Sequence, residues 1–423
     1  MLAKLKTYYH TLTLPQKRVF WFCTLLVAGV VAAVLNSLYH LLLAHVYYPK
    51  VTLFFDPRYR FSDFTEIYDY FKYGLAVFEH SGTNYFPFFL VLLYPISWFP
   101  VKLMLPLCIL ATTAFYVVLV YRWLPQIPKK GVYTALITLF SFTLWALFDR
   151  GNVEMFVFML TASCLWCYAT KRFTWAALLL AIAINTKLYP AVFLVLFFAQ
   201  RRWKPLLLAL GTSIVLFGVG AWLTHANFGV ISSNLQTFSA EHQVMATGLQ
   251  GSHTLFNLPR LPAFLVLEHG ELGIFHSFPE YSAALLKPYF ILVLILFAFI
   301  CLYVSFSKQP LWKIILLLTL AEIGFPFVSY GYTLMHLVFP ALLFLHDFDG
   351  DTSAGYTILV LLVLLLSPMN YLAHNFYPSY FGCVLNIGCL LKPLIILYFI
   401  VYLMRDFNLR EIARNLCHFL RGE

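Results

Sequence analysis

Lys187 is the residue of this sequence whose position most needs a chemical explanation. It lies in the stretch 173–204, where two short apolar halves meet just before Pro190. Burying an unpaired ammonium group in hydrocarbon costs roughly 2.5–3.5 kcal/mol on insertion scales, so such a lysine usually faces a polar cavity or an anionic ligand. At that depth in a membrane protein, the commonest anionic ligand is a lipid phosphate. The sequence therefore predicts that Lys187 faces a phosphate group.

Three carboxylates recur at three-residue spacing in the segment 46–83, and these are Asp63, Glu66 and Asp69. If Ser62 caps a helix, the three share one flank of it, and Tyr68 belongs to the apolar flank. A carboxylate at a membrane surface can take the proton from an attacking hydroxyl group, which is general base catalysis. The alternative is a solvated acidic face beside Arg60 and Lys72.

Two further polar segments are candidates for substrate contact. In the turn 149–154, Arg150 and Asn152 can contact a headgroup or a sugar, or the turn is a helix cap with Arg150 snorkelling to the interface. In the segment 251–260, His253 is a candidate for substrate contact and Arg260 for phosphate binding. The alternative for this second segment is an ordinary surface loop.

The segment 326–336 joins two apolar runs and carries the third group of candidates. Tyr330 and Tyr332 are placed to contact substrate, although tyrosines at a membrane interface are ordinarily belt residues. His336 lies deeper, and its position favours a hydrogen-bonded structural role.

Glu322 and Lys392 are opposite charges at similar predicted depth. Pairing between helices would lower the burial cost of both groups, so a structural ion pair is predicted. Proton coupling is the alternative role for these two charges.

The elements that must position these residues are membrane helices. Of the 423 residues, 61% are hydrophobic and 11% are charged, against about 25% charged in soluble domains. Apolar runs long enough to span a bilayer recur along the chain. They predict an all-α, polytopic transmembrane bundle in which residues 1–423 form a single integral membrane domain. We expect about 12 spans, near residues 19–45, 85–121, 132–148, 153–170, 173–186, 188–200, 206–223, 286–306, 312–328, 332–346, 354–370 and 380–404.

The charge distribution predicts the orientation of the bundle. The formal net charge is +10, but the basic residues form short clusters between apolar runs, which indicates the positive-inside pattern and argues against nucleic acid as a partner. Both termini are then cytoplasmic, and the segments 46–83 and 224–286 are extracytoplasmic, with amphipathic helices at the membrane surface. The stretch 84–121 is too long for one span, so we expect one crossing plus a re-entrant or interfacial piece near 94–106.

Several chemistries have no support in the sequence. Most of the eight cysteines lie within apolar runs, which is typical of packed thiols and not of a disulfide framework. The histidines show no metal-ligand spacing, so we expect neither a metal nor a cofactor. A GxxxxGK[ST] phosphate loop does not occur, so ATP-driven transport has no support.

Five segments follow one another in an informative order: SDFTEIYDYF from residue 62, GNVE from 151, TKLYP from 186, GSHTLF from 251 and PFVSYGYTLMHLVFP from 326. In this order the chain resembles the polyprenol-phosphate-sugar-dependent glycosyltransferases of the GT-C superfamily, closest to family 87 with its DUF2029-like proteins. The resemblance covers roughly residues 55–345. Its strongest parts are Asp63 followed by Tyr68, and the turn that begins at Lys187.

The resemblance implies an inverting hexosyltransferase that takes mannose or glucose from a polyprenyl-phosphate sugar on the extracytoplasmic face. Asp63 would be the general base. The donor phosphate would be held by Lys187, Arg260 and Arg150, near Asn152. Glu66 or Asp69 would bind the acceptor, and Tyr68 would be a further substrate contact. The acceptor would be a glycolipid or a lipid-linked polysaccharide in the bilayer of a bacterial inner membrane.

One departure from the family weakens part of this assignment. Relatives often carry histidines after the serine of the SYGY segment, where this chain has Gly331 and Tyr332. A donor contact from that segment is therefore less secure than the others. Two other classes stay open: a transporter or flippase of a lipid-linked sugar, and a non-catalytic assembly subunit, which would not need Asp63.

Overall fold

The protein is described here from a computed structural model. The described residues are 2–43, 60–80, 83, 85–247, 253–259, 274–369, 373–375, 384–386 and 388–421. Helices dominate this part of the chain, as the composition predicts. They are α1 Leu2–Thr11, α2 Leu14–Leu42, α3 Ser62–Tyr70, α4 Val77–His80, α5 Pro87–Leu93, α6 Val101–Trp123, α7 Lys130–Leu139, α8 Phe142–Arg150, α9 Glu154–Ala169, α10 Phe173–Ile184, α11 Leu194–Ala199, α12 Trp203–Leu223, α13 Phe228–Thr247, α14 Ile274–Phe306, α15 Leu311–Gly324, α16 Val338–Asp347, α17 Thr352–Leu366, α18 Gly388–Leu403 and α19 Leu409–Leu420.

Short 3-10 segments and one small ribbon complete the described secondary structure. The 3-10 segments are Phe71–Tyr73, Tyr94–Trp98, Tyr189–Phe193 and Gly331–Leu337. Two strands, β1 (Ala373–Asn375) and β2 (Val384–Asn386), pair antiparallel with Ala373 opposite Asn386. The ribbon involves only three residues on each side, so the predicted all-α class is confirmed.

Several helices have the length and composition of membrane spans. Among the described residues four qualify: Leu14–Tyr39 within α2, all of α6, all of α12, and Lys287–Phe306 within α14. The pair α7 and α8, bent by 45°, makes a fifth if it counts as one span. Shorter apolar stretches of 10–17 residues are Pro87–Trp98, Glu154–Ala169, Phe173–Ile184, Tyr189–Ala199, Thr352–Leu366 and Gly388–Leu403. The chain is thus a helical membrane protein, and the predicted count of about 12 spans stays a prediction.

Two predicted spans are divided in the structure. The stretch 84–121 contains α5, a 3-10 segment and then α6, so the extra piece is 87–98 and not 94–106 as expected. Pro106 lies inside α6. A membrane helix tolerates a proline when neighbouring groups form hydrogen bonds with the backbone groups that the proline leaves without a partner. The predicted span 132–148 is broken between α7 and α8, where Ser141 and Thr143 hydroxyls lie 3.4 Å apart.

A close approach of two helices supports one side of the bundle. Gly220 of α12 faces the backbone of α5, and a Cβ atom at that position would lie 2.3 Å from the Phe88 nitrogen. Only a glycine permits this contact, because the atoms opposite it are backbone and cannot rotate away. It holds α5, and through it the segment before α6, against the rest of the bundle.

Four interruptions of helical structure surround the centre of the molecule. They are the turn between α8 and α9, the residues between α10 and the 3-10 segment Tyr189–Phe193, the residues between α15 and the 3-10 segment Gly331–Leu337, and the start of α3. Non-helical backbone at membrane depth is tolerated where it is buried in protein or lines a cavity. The interruptions here lie around one cavity.

Candidate active site

A cavity of about 1150 Å³ lies among these interrupted helices. Polar side chains from several separate parts of the chain line it. They include Asp63, Glu66, Arg150, Asn152, Lys187, Tyr189, Glu322, Tyr330 and Tyr332. The two residues on which the sequence argument depends most, Asp63 and Lys187, therefore face the same space.

The start of α3 is fixed against the turn that precedes α9. The Phe61 N–H donates to the Asp149 carbonyl oxygen at 2.9 Å, and the Arg60 guanidinium pairs with the Asp149 carboxylate at 3.1 Å. Gly151 has φ +61, and a Cβ there would lie 3.0 Å from the Phe64 Cβ. Glycine is needed at this position because α3 packs directly on the turn.

Ser62 does not cap α3 as the sequence suggested. Phe61 occupies the N-cap position with a left-handed backbone, φ 59, and Ser62 is the first residue of the helix. The Ser62 hydroxyl instead donates to Asp63 Oδ1 at 3.2 Å. The consequence is that Asp63 gains a hydrogen-bond donor within its own helical turn.

The Asp63 carboxylate is held by three donors. Arg150 Nη2 donates to Oδ1, Asn152 Nδ2 donates to Oδ2 at 2.5 Å, and the Ser62 hydroxyl also donates to Oδ1. An ionised carboxylate has about four acceptor positions, so the donors among the described residues leave one position on Oδ2 for a substrate, and Asp63 lines the cavity. Asp63 is 14% exposed at the side chain, which suits a base that must reach a substrate hydroxyl.

Asn152 can present only its amide nitrogen to Asp63. Its oxygen accepts the backbone N–H of Glu154 at 2.9 Å, so the NH2 group must point the other way. From there it donates to Asp63 and also to the Tyr332 hydroxyl at 3.1 Å. The arrangement fixes Asp63 as an acceptor, which a general base has to be.

Glu154 is the centre of a second buried network. Its side chain is fully buried and accepts from Lys187 Nζ at 2.7 Å, from the Tyr189 hydroxyl and from His336 Nε2 at 2.8 Å. The Lys187 side chain remains 23% exposed, so it bridges the buried carboxylate and the cavity. The positive charge of Lys187, which the sequence left without a partner, is therefore paired with Glu154 in this structure.

The predicted ion pair between Glu322 and Lys392 is wrong. Glu322 Oε1 lies 3.2 Å from His336 Nδ1, and among the described residues no salt bridge joins Glu322 to Lys392. Hydropathy estimates the depth of a charge in a span but not the direction in which its side chain points. His336, expected to be a structural histidine, is hydrogen-bonded as predicted, and it connects Glu322 to Glu154.

The remaining residues of α3 divide between cavity and surface. Glu66 lines the cavity and accepts a hydrogen bond from the Tyr70 hydroxyl. Burial, followed by this hydrogen bond, raises the pKa of Tyr70 above its usual range, so the phenol stays a donor. Asp69 is 65% exposed and pairs with Lys72 at 2.9 Å. Tyr68 points away from the cavity and donates to the Ile96 carbonyl at 3.2 Å.

His253 does not line the cavity. It is buried, and its backbone N–H donates to the Ser329 carbonyl oxygen at 2.8 Å. A Cβ on Gly331 would lie 3.0 Å from His253 Nε2, so glycine in this segment makes room for that imidazole. Arg260 lies outside the described residues.

Sequence reasoning did not assign Glu154, Tyr189 and Glu322 to the site, although all three belong to these networks. A signal was present for Glu154, since a carboxylate at the start of the apolar run 155–169 needs a partner for the same reason as Lys187. Their mutual pairing depends on how three helices pack, which periodicity does not encode.

Much of the remaining cavity wall is apolar. It includes Phe290, Val293, Leu294 and Phe297 of α14 and Val195 of α11. Phe290 and Leu294 are 37% and 47% exposed, and their neighbours Ile291, Leu292 and Ile295 on α14 are exposed as well. The cavity thus joins a charged end to an apolar side that reaches the surface expected to face lipid.

Comparison with known proteins gives one match. The family model for glycosyltransferase family 87 matches residues 83–329 of this chain. No curated protein and no solved structure matches it. The matched region includes the turn with Arg150 and Asn152 and the segment with Lys187, while Asp63 precedes it.

Proposed function

Because this chain belongs to glycosyltransferase family 87, we propose that it transfers a hexose from a polyprenyl-phosphate donor to a hydroxyl group of a lipid-linked acceptor. One observation carries the proposal: Asp63 and Lys187 line the same cavity, and that cavity has an apolar side. Asp63 is held as a hydrogen-bond acceptor, and Lys187 is a cation at membrane depth. Glycosyl transfer from a lipid phosphate needs all three features.

In the proposed reaction Asp63 is the general base. Its open Oδ2 position accepts the proton of the acceptor hydroxyl while that oxygen attacks C1 of the sugar. The bond between C1 and the phosphate oxygen breaks, and its electron pair leaves with the phosphate. Attack opposite the leaving group inverts the configuration at C1. Arg150 and Asn152 hold the carboxylate in position through hydrogen bonds before the proton arrives.

Lys187 would stabilise the charge that develops on the leaving phosphate. A preorganised cation in a site of low dielectric stabilises the transition state more than the same cation does in water, since no solvent must reorganise during the reaction. Polyprenyl phosphate is already a good leaving group, so the proposal needs no metal ion. Arg260 remains a second candidate for the phosphate. Arg150 pairs with Asp63 in this structure, so its proposed phosphate contact would be shared with the base.

The apolar side of the cavity would hold the first isoprene units of the donor. Phe290 and Leu294 offer an apolar surface that continues to the outside of the bundle, which lets the long tail stay in the membrane while the headgroup is inside. Glu66 is the carboxylate in the cavity best placed to bind acceptor hydroxyls. Asp69, on the surface, is a weaker candidate for that role.

Mannose and glucose are both compatible donors, and a glycolipid or lipid-linked polysaccharide is the proposed acceptor. The proposed location is the inner membrane of a bacterium, with both termini cytoplasmic and the cavity extracytoplasmic, as the basic clusters indicate. The deciding test is incubation of the purified protein with radiolabelled polyprenyl-phosphate mannose and glucose in parallel. Consumption of one donor with formation of an acceptor-dependent product is expected, and consumption of neither would contradict the proposal.

A further inference from the structure

Glu154 is a buried carboxylate in direct contact with the cation proposed to hold the donor phosphate. Lys187 Nζ donates to Glu154 Oε2 at 2.7 Å, and the Glu154 side chain has no exposed surface. The ammonium group has three N–H donors, and the partly exposed Lys187 lines the cavity. A phosphate would therefore share Lys187 with Glu154 and would not replace it.

Glu154 has other hydrogen bonds besides the one from Lys187. Tyr189 and His336 Nε2 donate to Oε1, so the carboxylate keeps these two donors in addition to Lys187 while another N–H of the ammonium group points at a ligand. A buried carboxylate with two other donors can remain ionised throughout the reaction. Its negative charge then acts on any anion bound to Lys187.

We infer that Glu154 weakens the hold of Lys187 on phosphate and so permits release of the polyprenyl phosphate product. The inference rests on the proposed function. Transfer converts a phosphodiester with one negative charge into a phosphate monoester with up to two, so Lys187 attracts the product more strongly than the donor. Two like charges about 6 Å apart, at an effective dielectric constant of about 20, change affinity by roughly 10- to 100-fold after screening.

The test compares two substitutions that separate charge from packing. Glu154→Gln keeps the size of the side chain and removes the charge, whereas Glu154→Asp keeps the charge. Equilibrium binding of undecaprenyl phosphate to detergent-solubilised protein should tighten about 10- to 100-fold in Glu154→Gln and change little in Glu154→Asp. Steady-state assays should show that Glu154→Gln lowers both KM and kcat, since slower product release limits turnover.

A matched control removes a glutamate charge elsewhere. Glu79 is 50% exposed and pairs with His225 at 2.6 Å, so Glu79→Gln should leave the affinity unchanged. Looser or unchanged binding in Glu154→Gln, or equal effects of Gln and Asp, would overturn the inference while leaving the proposed function intact. If wild-type protein bound polyprenol as well as polyprenyl phosphate, the proposed function would fail, and the inference with it.

A second pair of variants covers the case in which Glu154→Gln does not fold. Lys187→Ala leaves Glu154 without its cation and should weaken undecaprenyl phosphate binding. The double variant Lys187→Ala/Glu154→Ala should recover about 10-fold of that loss, because the repelling charge is also gone. No recovery in the double variant would refute the role of Glu154.

Discussion

Replacing Asp63 by asparagine tests the proposed base most directly. Asp63→Asn keeps the size of the side chain but places an NH2 group where the carboxylate accepts from Arg150, Asn152 and Ser62. One of those donors must then face another donor. Losing a hydrogen bond to a charged group costs about 1.5–3 kcal/mol of folding stability. Because Arg150 and Asp63 are both partly exposed, we expect a cost near the lower end of that range.

The effect on catalysis should be much larger than the effect on stability. A general base contributes about 10²- to 10⁴-fold to the rate, so Asp63→Asn should reduce kcat to about 1% of wild type or less. Donor affinity should change little, because Lys187 and the apolar wall are untouched. The assay is transfer of radiolabelled hexose at saturating donor, together with equilibrium donor binding and a thermal melt of the same preparation.

The matched control lies at the end of α16. Asp347→Asn makes the same chemical change at a 41% exposed residue that pairs with His346, and it should keep both stability and activity. If Asp63→Asn retained more than a third of wild-type kcat, Asp63 would not be the base. An equal loss in Asp347→Asn would show instead that the assay responds to the removal of any carboxylate.

Three further changes have defined outcomes. Lys187→Ala should raise the donor KM about 10- to 100-fold, the worth of one charged hydrogen bond, and an altered kcat with unchanged donor affinity would argue against phosphate binding. Tyr332→Phe removes a 3.1 Å hydrogen bond to the Asn152 amide and should lower kcat only about two- to tenfold, so abolished transfer in a folded variant would require another role. Gly220→Ala forces a Cβ to within 2.3 Å of Phe88 backbone and should destabilise the fold by about 1–3 kcal/mol, seen as a lower melting temperature. Gly218→Ala on the same helix meets nothing within 4 Å and should be neutral or stabilising, so equal melting temperatures for the two would refute the packing argument.

The sequence predicted the position of the site at residues whose charged side chains are costly to bury. Lys187 lies between two apolar runs, and in the structure it lines a cavity and pairs with Glu154. That a phosphate occupies the cavity stays a prediction. Asp63 and Glu66 were placed by their spacing before an aromatic segment, and both line the same cavity. Asp69 has the same spacing, but its side chain is 65% exposed and pairs with Lys72, because it lies on a different side of the helix end from Tyr70, which lines the cavity.

Pairing between distant residues was not predictable in the same way. The depth of Glu322 suggested Lys392 as a partner, yet the side chain lies beside His336. Depth along the membrane normal follows from hydropathy, whereas the direction of a side chain around its helix follows from packing. Likewise the 45° bend between α7 and α8 leaves no break in the apolar pattern of the sequence.

The two networks of the site meet at the first residues of α9. The Glu154 N–H fixes the Asn152 amide that holds Asp63, and the Glu154 side chain holds Lys187. One short stretch of chain therefore sets the separation between the proposed base and the proposed phosphate cation. An inverting transfer needs the attacking hydroxyl and the leaving phosphate on opposite faces of C1, and a rigid separation supplies that alignment before substrate binds. A change that tilts the start of α9 should consequently impair kcat and donor affinity together, whereas Asp63→Asn should impair kcat alone.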